Sequence, residues 1–290
     1  GRTAIVCPQE VPMAQASGRS APTLEGRLVV VTGASRGIGA ATALAVARHG
    51  ADVILVARRR SELEAVAGQV ESLGRSAFIV VLDLRDCQAA ISAAERIVAD
   101  VGTPDVVIAN AGHSIARGAL DCAERFDSYS RTMGVNFLGA VAFLGPILTG
   151  MAARGSGHII GVTTAAARTP LPGWVAYSAS KAAFDTWLRA ARPELAERGI
   201  HVTICEPPLT DTAMIRPVHG HSPRAIPPER VADWIVSALE RPRAHLGPWW
   251  MRPASVLVAA APYATASLMW RFTRRPQLRP RTPTESGSGA

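Results

Sequence analysis

The chain has 290 residues, 48% of them apolar and 19% charged, with a formal net charge of +8. That composition fills a core and excludes a wholly disordered chain, while four scattered cysteines (Cys7, Cys87, Cys122, Cys205) without CxxC or CxxH spacing argue against a disulfide scaffold or a zinc site. The charge is local: residues 1–240 carry 23 basic and 22 acidic side chains, whereas 241–290 carry eight arginines against Glu285, so no broad nucleic-acid-binding face is expected.

The first 25 residues hold Pro8, Pro12, Gly18 and Pro22 and show no periodicity. They contain no long apolar stretch and read as a flexible leader rather than a secretory signal. Beyond them, short runs that are apolar on both faces alternate with helical patterns. Strands are expected at Leu28–Thr32, Val53–Ala57, Ala77–Leu82, Val106–Ala109, His158–Val162 and His201–Cys205. Helices are expected at Gly39–His49, Ser61–Leu73, Cys87–Val101, Phe126–Ala153 (in two pieces), Val175–Arg198 and Pro228–Glu240. This alternation predicts an α/β fold: one doubly wound parallel sheet of Rossmann type, helices on both faces, over residues 26–245. An apolar extension (246–274) and a disordered tail rich in Pro, Arg, Gly and Ser (275–290) follow.

Between the first strand and the first helix lies Thr32-Gly33-Ala34-Ser35-Arg36-Gly37-Ile38-Gly39. Gly33 permits a tight turn, Gly37 lets backbone approach a pyrophosphate, and Gly39 lets helix and strand pack closely. The helix N-terminus offers free N–H groups to an anion. A glycine pattern alone also describes an ordinary turn. At the end of the second strand comes Ala57-Arg58-Arg59-Arg60, where an acid would receive ribose hydroxyls. Guanidinium groups at Arg36, Arg58 and Arg59 suit a 2′-phosphate and hence NADP(H); a solvated basic turn is the competing reading.

The strongest chemical signal is Tyr177-Ser178-Ala179-Ser180-Lys181. Tyrosine and lysine stand at i and i+4 on one helix face. A neighbouring ammonium stabilises phenolate, so Tyr177 can pass a proton to or from a carbonyl oxygen. Of the 31 basic residues 30 are arginine, and Lys181 is the exception. Arginine is bulkier, planar and fixed in charge and could not easily replace a compact ammonium there; a surface helix with an accidental Y-x-x-x-K is the competing reading.

These motifs, with Asn110-Ala111-Gly112 after the fourth strand, resemble the classical short-chain dehydrogenase/reductase family over about residues 26–240. The resemblance implies roles for further positions. Asp83, followed by Leu84, would receive the adenine amino group. Asn110, Ala111 and Gly112 would steady the sheet and lie along the cofactor. Lys181 would also hydrogen bond the nicotinamide ribose. Asn136 would support a proton relay through a water held at its backbone, unless it serves only as a capping or bend residue. Thr164 stands where the family has serine; its hydroxyl would orient the substrate oxygen and its methyl narrow the pocket. In Glu206-Pro207-Pro208-Leu209-Thr210-Asp211-Thr212 the family usually has Pro-Gly, so Pro208 departs from it, and Thr212 would meet the nicotinamide carboxamide with Pro207 bordering the site. The Pro-Pro pattern also resembles 3-ketodihydrosphingosine reductases, which points to a long-chain keto substrate.

The implied activity is NADP(H)-dependent interconversion of a ketone or aldehyde and an alcohol on an apolar substrate, in a cytoplasmic homodimer or homotetramer. The threonine at 164 keeps a non-redox isomerase or cyclase open, and a nucleotide-binding sensor without turnover is a further alternative. Residues 209–227 are expected to form a variable lid carrying His219 and His221 as loop histidines. His113 either borders the substrate or caps, and Leu171, Pro172 and Trp174 suggest an apolar wall. The apolar segment Ala254–Trp270, broken by Pro262 and edged by arginines, has three readings: a helix docked over the site, an oligomer contact, or peripheral membrane contact through 254–275.

Overall fold

Val29 and Val31 point to one side of strand β2 (Leu28–Thr32) and Val30 to the other, and all three are fully buried. This alternation follows from the two-residue period of a strand, and β-branched side chains suit a sheet covered on both faces. Burying each such side chain contributes on the order of 2 kcal/mol. Around β2 lie β1 (Ile5–Val6), β3 (Asp52–Ala57), β4 (Ala77–Val81), β5 (Val106–Ala109), β6 (Gly157–Val162), β7 (Ile200–Cys205) and β8 (His245–Leu246). The order is β1-β4-β3-β2-β5-β6-β7-β8, parallel throughout except for β1. Leu28 pairs with Asp52 and Thr32 with Val56, so β2 and β3 end in step beside the glycine loop. The computed structural model describes residues 5–6, 24–169, 171–216, 220 and 222–273. The expected tail 275–290, most of the leader, and His219 and His221 lie outside the described residues.

One face of the sheet is covered by α1 (Gly37–Arg48) and α2 (Arg60–Ser72), and the other by α3 (Cys87–Arg96). Next come α4 (Ala119–Glu124), α5 (Asp127–Met133), α6 (Gly139–Arg154), α7 (Val175–Ala196), and α8 (Pro228–Glu240). Val46, Leu63, Val231 and Ile235 meet on the first face; Ala93, Phe143, Leu144, Phe184 and Leu188 meet on the second. The expected doubly wound sheet is present, with strand ends within one residue of expectation. The short strands β1 and β8 and helix α4 were too brief to show a period.

The helical run 127–154 does divide in two, at a π-helical turn over Gly134–Leu138. At Gly139 a β carbon would lie 1.7 Å from the carbonyl oxygen of Leu84, so only glycine lets the run pass this close. The run is long and apolar enough to cross a bilayer by composition. Its Phe143, Leu144, Ile147 and Met151 are nevertheless fully buried in the core.

Two parts of the expected leader are among the described residues. Ile5 and Val6 pair antiparallel with Val80 and Ile79, covering an otherwise open sheet edge. Leu24 is buried, and its N–H donates to the carbonyl of His49 at 2.9 Å. Beyond α8 the apolar segment forms two helices, α9 (Met251–Ala260) and α10 (Pro262–Thr273). Pro262 separates them because its ring blocks a continued helix on the preceding turn.

Candidate active site

The carboxyl ends of β2, β3, β4, β5, β6 and β7 open into one cavity of about 910 Å³. Open α/β sheets bind ligands at this edge. Gly33, Ser35 and Arg36 border the cavity from the loop before α1, and Gly37 and Ile38 from its first turn. Arg58 and Arg59 border it after β3, Asp83 and Leu84 after β4, and Asn110, Ala111 and Gly112 after β5. Thr164 borders it after β6, Tyr177 and Lys181 from α7, and Pro207, Pro208 and Thr212 after β7.

Two expected residues stand behind the wall. Gly39 is a packing residue: a β carbon there would meet the Gly33 carbonyl oxygen at 2.2 Å. Asn136 is buried at the π-helical turn, a distortion common at functional sites. Its Oδ1 accepts from the His113 N–H at 2.7 Å. Its Nδ2 donates to the His113 carbonyl and to Ser180 Oγ, both at 2.9 Å. The Ser180 hydroxyl in turn donates to the Tyr177 carbonyl at 2.8 Å. Asn136 thus ties the loop after β5 to the helix carrying Tyr177. Asn110 is also a strut, since its Nδ2 donates to the Thr32 carbonyl at 2.9 Å and locks β5 against β2.

Gly33 and Gly37 have φ of 68° and 57°, a region that L side chains rarely adopt. A β carbon at Gly33 would also lie 2.9 Å from Ala111 Cα. The nearby guanidinium groups meet carboxylates. Arg59 Nε and Arg36 Nη2 reach the same Glu62 oxygen at 2.5 and 3.2 Å. Burial alone would raise the Glu62 pKa, but the Arg59 hydrogen bond and the charges of Arg36 and Arg59 hold it below its ordinary value. Asp83 is held by Arg85 through Nε and Nη2, at 2.9 and 2.5 Å, with Arg58 3.9 Å away.

Tyr177 is half-buried at the cavity wall, and desolvation there raises its pKa; a hydrogen bond with the Thr164 side chain opposes that rise without cancelling it. Lys181 donates from Nζ to the Val162 carbonyl at 2.8 Å, and burial lowers its pKa to about 8. At Tyr177 burial outweighs the Thr164 hydrogen bond, and the Lys181 ammonium is engaged by a backbone carbonyl. A phenol kept protonated at neutral pH is a proton donor. Thr164 also opens a short 3-10 turn, its Oγ1 accepting from the Ala166 N–H at 3.4 Å.

The remaining lining is mixed. His113 borders the cavity, and its pKa is lowered by burial and by the Arg58, Arg131 and Arg85 charges. Of the residues expected as an apolar wall, Leu171 and Trp174 border it and Pro172 does not. From the segment expected as a lid, Met214 and Ile215 join them, and a bridge pairs Thr210 with Ile226. Trp250, Leu257, Val258, Leu268 and Met269 of the C-terminal helices also line it, which favours the docked reading of that segment. Its apolar run was legible in the sequence, but its destination was not.

A buried ionic cluster behind the site had no sequence signal, because its members come from separate elements. Glu206, at the end of β7, is contacted by Arg168 Nη2 at 2.6 Å, His245 Nε2 at 2.7 Å and Arg189 Nη2 at 3.4 Å. Arg189 also holds Asp185 at 2.6 Å. The cluster pins the turn after Thr164 to the start of the Pro207-Pro208 loop.

Comparison with known proteins agrees with this geometry. The family model for short chain dehydrogenases matches residues 27–222. A fatty acyl-CoA reductase of Acinetobacter baylyi is 37% identical over 252 residues, covering 85% of this chain and 84% of that protein. A metagenomic short-chain oxidoreductase solved in complex with NADP superposes with a TM-score of 0.68 at 30% identity, over 78% of this chain and 98% of that one. A 3-oxoacyl (acyl-carrier-protein) reductase from Agrobacterium tumefaciens with NADP bound gives 0.71 at 25% identity, over 77% and 94%. These relatives speak for the family and not for the narrower likeness to 3-ketodihydrosphingosine reductases.

Proposed function

The chain belongs to the short-chain dehydrogenase family, and from that premise we propose that it is an NADP(H)-dependent oxidoreductase converting an aliphatic carbonyl compound and its alcohol into one another. One observation carries the reading: Tyr177, hydrogen-bonded with Thr164, shares a cavity with Lys181 and with an apolar wall of Leu257, Val258, Leu268 and Met269. The fatty acyl-CoA reductase among the relatives supports an acyl-chain substrate.

The residues present fit a dinucleotide bearing a 2′-phosphate. Gly33 and Gly37 leave backbone open where a side chain could not stand. Arg36 and Arg59 sit half-exposed at the rim, paired with one carboxylate between them. Such a group, when bound, supplies or accepts the hydride.

The chain's own residues handle the proton. Thr164 and Tyr177 hold the substrate oxygen between two hydroxyls. In reduction Tyr177 gives its phenolic proton to that oxygen, and the carbonyl becomes an alcohol. Lys181, with a pKa of about 8, can return a proton toward Tyr177 near neutral pH. The apolar wall excludes water and orients the acyl chain.

A panel of aliphatic aldehydes and ketones of rising chain length, read by loss of NADPH absorbance, tests the proposal. Turnover whose kcat/KM rises with chain length supports it. Substrate conversion without NADPH consumption would favour the isomerase alternative, and binding of NADPH without turnover would favour the sensor.

A further inference from the structure

We propose that the outer face of α9 and α10 docks on an anionic phospholipid bilayer, with the mouth of the cavity opening toward the lipid. Trp249, Val256 and Tyr263 are 84%, 70% and 88% exposed, a concentration of large apolar side chains on one short segment. Single exposed apolar residues are ordinary, whereas a cluster marks an interaction surface. Tryptophan and tyrosine, with an apolar body and a polar tip, suit the headgroup level of a membrane.

The patch is continuous with the cavity. Leu257 and Leu268 line the cavity and are also 64% and 53% exposed, so they form part of its rim. A lipid tail reaching the site by this rim would pass from one apolar surroundings to another. That route of entry rests on the substrate reading above; the docking itself does not.

Charge selects the partner. Residues 241–290 carry eight arginines and one acid, which is +7 of the chain's +8. Arg271 lies exposed in the last turn of α10, and Arg274, Arg275, Arg279 and Arg281 follow in the sequence. An anionic leaflet attracts such a segment. A second copy of the chain would bring two strongly basic segments together, which like-charge repulsion opposes. At 10 and 12 residues the two helices are too short to span a bilayer and suit an interfacial position.

The test uses the full chain with sedimenting vesicles of phosphatidylcholine alone or of equal parts phosphatidylcholine and phosphatidylglycerol. The expected result is binding to the anionic vesicles at low salt that weakens as salt rises. A variant carrying Trp249→Ser, Val256→Ser and Tyr263→Ser should lose at least about tenfold in vesicle affinity while binding NADPH as before. Should that variant fold poorly, Tyr263→Ser alone should still weaken binding severalfold. Replacing Arg274, Arg275, Arg279 and Arg281 by Gln should abolish the preference for anionic over neutral vesicles. No binding at low salt, or equal binding by the serine variants, would overturn the proposal. So would a wild-type dimer, seen by light scattering without vesicles, that the serine variants convert to monomer without any change in vesicle binding. Failure of the redox assay with intact vesicle binding would count against the substrate reading alone.

Discussion

Lys181 donates its ammonium hydrogen to the carbonyl oxygen of Val162 at 2.8 Å, joining the helix that carries Tyr177 to the strand that leads to Thr164. Burial lowers the pKa of this lysine to about 8, and Gly112 passes beside it: a β carbon there would lie 3.4 Å from Nζ, at ordinary contact distance.

A pH profile of carbonyl reduction follows from this. The ammonium is the working form, so kcat should be full below pH 8 and fall as pH rises through about 8. Lys181→Met should lose that limb and fall on the order of 100-fold at pH 7. Lys181→Arg should not rescue it, because a guanidinium is planar, bulkier and fixed in charge where a compact ammonium is needed. A variant that keeps the wild-type limb would remove Lys181 from the account.

The threonine at 164 is expected to act through its hydroxyl. Thr164→Ser keeps the hydrogen bond with Tyr177 and should retain kcat within a fewfold. Thr164→Ala removes a donor to the developing oxyanion and should lower kcat on the order of 100-fold, with little change in NADPH affinity. Steady-state kinetics and NADPH fluorescence titration read the two effects separately.

Cofactor choice is expected to reside in Arg36 and Arg59. Each offers charge-assisted hydrogen bonds of the order of 2 kcal/mol to a phosphate, against the single carboxylate of Glu62. Arg36→Ala or Arg59→Ala should raise KM for NADPH about tenfold or more and leave KM for NADH nearly unchanged. Equal losses with both cofactors would show that these arginines do not read a 2′-phosphate.

Acid stability should depend on His158, far from the chemistry. Its Nε2 meets Thr203 Oγ1 at 2.8 Å, while the Thr203 hydroxyl donates to the Arg243 carbonyl. Thr203 Oγ1 is therefore the acceptor, and Nε2 carries a proton. Burial, aided by His201, lowers its pKa from 6.5 to about 4. The unfolded chain then binds the extra proton first, so stability is full above pH 6.5 and is lost as pH falls toward 4. The loss should be about 3 kcal/mol by denaturant titration, and smaller in His158→Asn. An equal pH dependence in that variant would assign the loss to other groups.

The sheet and most of the cavity wall were legible because they rest on short-range rules. The Val29–Val31 run, the glycines before α1 and the i, i+4 pair Tyr177 and Lys181 all carry their meaning within a few residues. What could not be read depends on side chains meeting across the fold. Glu206 draws Arg168, Arg189 and His245 from different elements, and no spacing announces that. The desolvation that raises the Tyr177 pKa is likewise invisible in sequence, whereas its neighbouring lysine is not. The apolar run at 254–270 showed that something would be covered; only its place on the cavity shows what.

The most direct test of the account is NADPH consumption with a long-chain aliphatic aldehyde, compared between the wild type and Tyr177→Phe. The account predicts turnover by the wild type and a fall of at least about 100-fold in the variant, with NADPH binding retained. Equal rates for the two proteins, or no NADPH consumption by the wild type on any aliphatic carbonyl, would contradict it.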